Sequence, residues 1–172
     1  MITNFKIAIR YSVLIGLLMM LWLCIEFMIG LQDKYADLLL YSAILSLCIP
    51  IFGIWRALKE KREVVDGSFS FQQAFATAIL VVLFSSVLAM VVQFVFTNFV
   101  NPDYFQGLIE HYVHKAFAAG GDTGKARTMA EQYFNLQFSI IEAFLWTFLS
   151  GILAAAFWAW RLSSGTNDTA TS

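Results

Sequence analysis

Charge is scarce in this 172-residue chain: Asp, Glu, Lys and Arg make up 13% of it, about half the share of a soluble globular domain. That deficit excludes an ordinary water-solvated fold. Proline is nearly missing as well, with two residues, so long helices can run with few interruptions. The two cysteines, Cys24 and Cys48, both fall inside apolar runs. There they read as small buried hydrophobes, and they provide neither a disulfide framework nor a metal site. A net charge of −1 offers no basic field of the kind that nucleic acid binding requires. No nucleophile–base pair, glycine-rich phosphate loop or quartet of metal ligands is present. The expectation is therefore a non-enzymatic protein without cofactor or metal.

What the chain has in abundance is apolar bulk. Hydrophobic residues reach 59%, with seventeen Phe and five Trp, and the mean hydropathy is +0.70. Such a chain belongs in a bilayer. A span needs about 20 apolar residues, and four such runs are legible, at about 11–31, 38–55, 74–100 and 138–160. The expected fold is all-α, a four-helix transmembrane bundle forming a single integral membrane domain over 1–162, with a disordered tail at 163–172. The first run follows Lys6 and Arg10 but has no small-residue cleavage site behind it. Leu23 before Cys24 is too large for a lipoprotein signal, so the first helix is read as uncleaved.

The charged stretch from Arg56 to Phe75 organises the rest, because it separates two apolar runs and holds Arg56, Lys59, Lys61 and Arg62. Short loops rich in Lys and Arg stay on the cytoplasmic side. The loop is expected to turn at Asp66-Gly67. It should end at a capping box, Ser70 with Gln73, that opens the third span. Adding Lys6, Arg10 and Arg161 places seven basic residues inside, against Lys34, Lys115, Lys125 and Arg127 outside. Both termini are then cytoplasmic. Trp55, Trp158 and Trp160 sit beside inner arginines, where an aromatic belt belongs. Pro50 with Gly53 predicts a kink in the second span.

Between spans three and four, Asn101-Pro102 reads as a helix start, Asn as N-cap and Pro at the first helical position. Phe105, Leu108, Ile109, Tyr112, Ala116 and Phe117 follow at helical spacing, and Gly120-Gly121 stops the helix. The outer helical segment covers about 102–132, with Asp122 or Thr123 capping its second part, and its amphipathic helix is expected to lie on the bilayer surface or over the bundle mouth. Ser12-x-x-x-Gly16, Ser85-x-x-x-Ala89 and Gly151-x-x-x-Ala155 are small-residue pairs that let helices approach closely.

With this topology Glu26 and Glu142 lie roughly 7 Å below the outer surface at 1.5 Å per residue. Gln93 falls at a similar depth, as do Tyr41 and Ser42, so each helix contributes to one outer polar layer. An intramembrane carboxylate is by default a functional candidate with a partner to be named. The candidate pairing is Glu26 with Glu142, two carboxylates that would share a proton if brought together. The alternative is that both simply join helices through Gln93, Tyr41 and backbone groups. His111 and His114 on the outer helix are candidate titrating residues above that layer.

GSFSFQQAF at 67–75, the apolar span behind it and NFVNPDYFQGLIE at 98–110 resemble a bacterial family of uncharacterised membrane proteins, domain of unknown function family 4199. The match is strongest from about Lys59 to Tyr112. The resemblance implies a multi-pass protein of the bacterial inner membrane with an extramembrane segment between its last two spans. It carries over no activity, cofactor or site residue. Three readings of function follow. One is a scaffold or accessory subunit that binds another membrane protein or a second copy. Another is a small proton- or ion-coupled transporter using Glu26 and Glu142. The third is a lipid-sensing protein acting through the segment from Pro102 to Ala119. Membrane lipids are expected partners in all three, and nucleic acid in none.

Overall fold

The computed structural model describes residues 2–31, 35–65 and 68–164. The expected turn at Asp66-Gly67, residues 32–34 and the tail from 165 lie outside the described residues. Among the described residues seven α-helices follow in order: α1 Ile2–Ile29, α2 Leu39–Ser46, α3 Cys48–Val64, α4 Phe71–Val95, α5 Tyr104–Ala118, α6 Thr123–Tyr133 and α7 Leu136–Ser164. Among the described residues there is no strand. A short 3-10 turn, Ala36–Leu38, leads into α2, and a π-helical turn, Phe96–Val100, extends α4. Among the described residues four stretches are long and apolar enough to cross a membrane: Asn4–Ile29, Leu39–Val64, Phe71–Val100 and Leu136–Ser163. Most of their surface faces outward, as lipid-embedded helices require.

Local chemistry accounts for the helix ends. The Ser70 hydroxyl accepts from the Gln73 N–H at 3.3 Å, while Gln73 Oε1 accepts from the Ser70 N–H at 3.4 Å. This is the anticipated capping box. Asp122 caps α6 by accepting from the N–H groups of Gly124 and Lys125. The Asn135 side chain accepts from the Phe138 N–H at 3.0 Å and opens α7. Gly30 and Gly120 adopt φ of 77° and 72°. Each lets the chain reverse behind a helix with paired 6→1 and 5→2 bonds, Leu31 to Glu26 and Gly30 to Phe27, then Gly121 to Ala116 and Gly120 to Phe117.

The second span breaks as Pro50 predicts: α2 and α3 meet at Leu47, next to Ser46, whose carbonyl is the one to which an N–H at position 50 would have donated. Two expectations are corrected. The segment from Arg56 to Glu63 is not loop: α3 continues to Val64, because Arg, Lys, Glu and Leu are strong helix formers. The connection to α4 shrinks to 65–70. The outer helix starts at Tyr104 rather than at Pro102. Asn101 is instead buried, and its N–H closes the π turn on the Phe96 carbonyl at 2.9 Å.

α4 is the central post, packed most extensively on α7 and α1 and also on α3. The apolar core gathers at one end of the bundle, from Ile7, Ala8, Tyr11 and Ile15 of α1, Ile54, Ala57 and Leu58 of α3, Ala74, Ala78, Val81 and Val82 of α4 and Ala154, Ala155 and Ala159 of α7. With lipid tails as apolar as the core, close van der Waals fit holds these helices together. A Cβ on Gly16 would lie 2.3 Å from Leu88, one on Gly53 2.5 Å from Ile15 and one on Gly151 2.8 Å from Val82. Each glycine therefore marks a point of close helix approach. The hydroxyls of Thr77, Ser85 and Ser86 donate to carbonyls one turn back on α4, and Ser12 donates across to the Val81 carbonyl at 3.1 Å.

Candidate functional site: the outer carboxylate layer

The other end of the bundle is built differently. α2 packs on α1 and α3 but has no substantial contact with α4 or α7, so the fourth helix leaves the bundle above Leu47. Its Leu40, Tyr41, Ile44 and Leu45 are all exposed. The α5–α6 hairpin sits at this end, with the two helices packed on each other.

Within this half, Glu26 is only 5% exposed. Its Oε1 accepts from Trp22 Nε1–H at 2.8 Å and from the Ser42 hydroxyl at 2.5 Å. The second bond is the polar tie between α1 and α2. Both donors are neutral, and no cation pairs with Glu26 among the described residues. Glu142 accepts from Trp146 Nε1–H at 3.3 Å. Gln93, also buried, donates from Nε2 to the Ser139 hydroxyl at 2.7 Å and so ties α4 to α7.

Glu26 and Glu142 do not bond to one another. The charges of both act on Tyr104 at the start of α5. Its phenol is pushed up out of its ordinary range, first by burial and then by the charges of Glu26 and Glu142. Its ring lies edge-on to Phe96 at 6.0 Å, and Phe96 lies edge-on to Phe27 of α1 at 6.4 Å. Tyr133, at the end of α6, is also raised, by burial first and then by Glu142. Both helices of the outer hairpin thus present a tyrosine to the carboxylate layer.

Of the candidate residues, Glu26 and Gln93 lie buried in this layer, and Glu142 lies partly buried within it. Tyr41 does not join them: it is 68% exposed, and its neighbour Ser42 turns inward instead. His111 lies above, with Nε2 3.6 Å from Asp37 Oδ1. That is too long for a normal hydrogen bond, and the buried Nε2 has no partner. Lys115 reaches the same oxygen at 2.5 Å, and its ammonium holds the Asp37 carboxyl below the usual carboxylate range. His114 is exposed and takes no part in the layer. Among the described residues no cluster of three His, Cys, Asp or Glu side chains forms that would hold a metal ion.

Sequence reasoning missed Tyr104, Tyr133, Trp22 and Trp146. A signal existed for the tryptophans, since Trp22 and Glu26, and Glu142 and Trp146, are spaced i, i+4 and share a helix face. For Tyr104 and Tyr133 there was none, because the contact depends on how the hairpin folds back.

Fold and site together define an α-helical multi-pass membrane protein with a polar layer in one half of its bundle. The chain belongs to the family described as Protein of unknown function (DUF4199), which matches residues 10–163. No curated protein and no solved structure is significantly similar to it.

Proposed function

We propose that the protein is a non-enzymatic scaffold or accessory subunit of the cell membrane, with both termini in the cytoplasm, and that its outer half receives a second membrane polypeptide or a second copy of the chain. The observation that carries this reading is the position of α2. Four of its large side chains are exposed, it packs on α1 and α3 alone, and its polar tie to α1 is the Glu26–Ser42 bond. The inner half serves as the anchor. Polar groups in the outer half act as ties between helices: Glu26 to Ser42 and Gln93 to Ser139. The excess of Lys and Arg at the ends of α1, α3 and α7 supports the orientation, and the family resemblance supports a bacterial inner membrane.

The test is a photo-crosslinker at Leu40, compared with one at Leu153, which is exposed on α7. A discrete adduct larger than the single chain is expected from Leu40 and not from Leu153. Monomer alone at both positions would sink the proposal.

A second reading, proton coupling, draws on one observation: Glu26 is buried with neutral donors only, and Tyr104 senses both carboxylates. It predicts pH-driven flux from proteoliposomes that Glu26→Gln abolishes. The scaffold reading predicts no flux from either protein and altered assembly in the variant.

A further inference from the structure

The charged extension of α3 has a feature that neither the scaffold nor the carrier reading uses. Its carboxylates are unequally engaged. Glu60 is taken by α1, through an ion pair with Arg10 and a 2.8 Å hydrogen bond from the Tyr11 hydroxyl. Lys59 and Arg62, by contrast, meet no carboxylate within ion-pair distance among the described residues. They border a cleft of about 440 Å³ lined by Trp55, Lys59, Arg62, Glu63 and Leu162, where the ends of α3 and α7 leave the membrane. Lys59 Nζ lies 5.6 Å from the Trp55 ring centroid, and Trp158 of α7 packs on Trp55 at 6.1 Å.

We propose that this cleft binds the phosphate headgroup of an anionic phospholipid from the inner leaflet. Lys59 offers a compact ammonium, and Arg62 a guanidinium fork that matches phosphate oxygens. Trp55 and Leu162 supply an apolar wall for the glycerol and the first acyl carbons. Glu63 is the one anionic group lining the cleft, leaving an excess of one positive charge, so a zwitterionic headgroup gains less than an anionic one. Continuity with the lipid-facing surface favours a lipid over a free anion. Phe52, one turn into the membrane from Arg56, is 59% exposed and its ring lies 5.2 Å from that of Trp55. An acyl chain leaving the cleft therefore runs directly onto an apolar face. Basic pockets between spanning helices on the cytoplasmic side are suited to such headgroups.

The test is native mass spectrometry of the full chain from micelles doped with phosphatidylglycerol or phosphatidylcholine. Wild type is expected to hold one phosphatidylglycerol saturably. Lys59→Gln/Arg62→Gln should weaken binding roughly thirtyfold, from two membrane-surface cations. Lys6→Gln/Lys61→Gln removes the same charge outside the cleft and should leave binding within roughly threefold of wild type on the same scale. Equal losses in the two double variants would overturn the site in favour of diffuse surface charge. Competition by inorganic phosphate at the concentration of the lipid would overturn the lipid assignment in favour of a free-anion site. Glu63→Gln keeps the fold question apart: it removes the opposing charge at an exposed position and should tighten binding. Unchanged binding there contradicts the proposal.

Discussion

The two halves of the bundle are held together by different means. In the inner half four helices, α1, α3, α4 and α7, close around Ala, Val and Ile side chains, with glycines at the tightest crossings. Side-chain hydroxyls there mostly bond to their own helix, and the charges stay at the rim. In the outer half three of those helices continue, the fourth is replaced by the peripheral α2, and the interhelical ties are polar. The difference follows from the break at Leu47. Where the fourth helix departs, close packing is lost, and Glu26 of α1 ties to Ser42 of α2 while Gln93 of α4 ties to Ser139 of α7. A dry, interdigitated half is suited to permanence, and a half tied by single hydrogen bonds is suited to rearrangement.

The largest expected effect breaks the inner half. Gly151→Val places a branched side chain against Val82, whose own χ1 is stiff, and overpacking of this kind costs about 1–3 kcal/mol. The loss should appear as a lower midpoint in denaturant unfolding from micelles. Gly53→Leu, against Ile15, should behave alike. An unchanged midpoint in both would mean that the inner helices do not approach as closely as described.

Smaller, and confined to the outer half, is Glu26→Leu. It leaves Trp22 Nε1–H and the Ser42 hydroxyl without their acceptor. A lost interhelical hydrogen bond in a membrane averages about 0.6 kcal/mol, and unmet buried donors raise the total to about 1–2 kcal/mol. Cysteine crosslinking from α2 to α1 should fall in the variant while crosslinking from α3 to α1 is preserved. Equal losses would show that the two halves are not independent.

Alkaline pH offers a sharper division. The Tyr104 proton is held more tightly in the fold than in the unfolded chain. Its contribution is therefore complete below the ordinary tyrosine pKa of about 10 and is lost as pH climbs from there toward the raised folded value. Tyrosinate absorbance from Tyr104 should appear only above the ordinary tyrosine range. When it appears, crosslinks between the hairpin and α1 should weaken before any inner-half contact. The smallest effect is at the hairpin rim. Asp37 has a lowered pKa beside Lys115, so its contribution is present above the ordinary carboxylate range and fades as pH falls through the lowered folded value. Asp37→Asn should loosen α5 from the turn ahead of α2, read by increased proteolysis there, with no change in overall unfolding.

Much of this architecture is legible in the amino acids, for physical reasons that differ by element. The capping box at Ser70 and Gln73 and the glycine stop at Gly120 are local, so a few adjacent residues suffice to read them. Apolar length reveals the spans in the same way. The break at Leu47 is legible through Pro50, which leaves the Ser46 carbonyl one turn back without its donor; the departure of α2 from the bundle above it is not, because that depends on packing. The charged run after Trp55 looks like a loop by polarity and is a helix by propensity, a conflict that polarity alone resolves wrongly. In the site, Glu26, Gln93 and Glu142 stand out because such side chains are costly in lipid. The choice between Tyr41 and Ser42 turns on a rotation of about 100° around a helix, which a run of apolar neighbours leaves undetermined. Tyr104 is recognisable only after the hairpin has been folded over the carboxylates.

The central claim is that the bundle is divided at Leu47 into a fixed inner half and a loosely tied outer half. It is tested most directly by spin-label distance distributions in lipid nanodiscs, with one pair joining Ile44 of α2 to Val91 of α4 and another joining Phe52 of α3 to Leu83 of α4, all four positions being exposed. The account predicts a narrow distribution for the inner pair and a broad or divided one for the outer pair, broadened further by Glu26→Leu. Equally narrow distributions for both pairs, unchanged by that substitution, would contradict it.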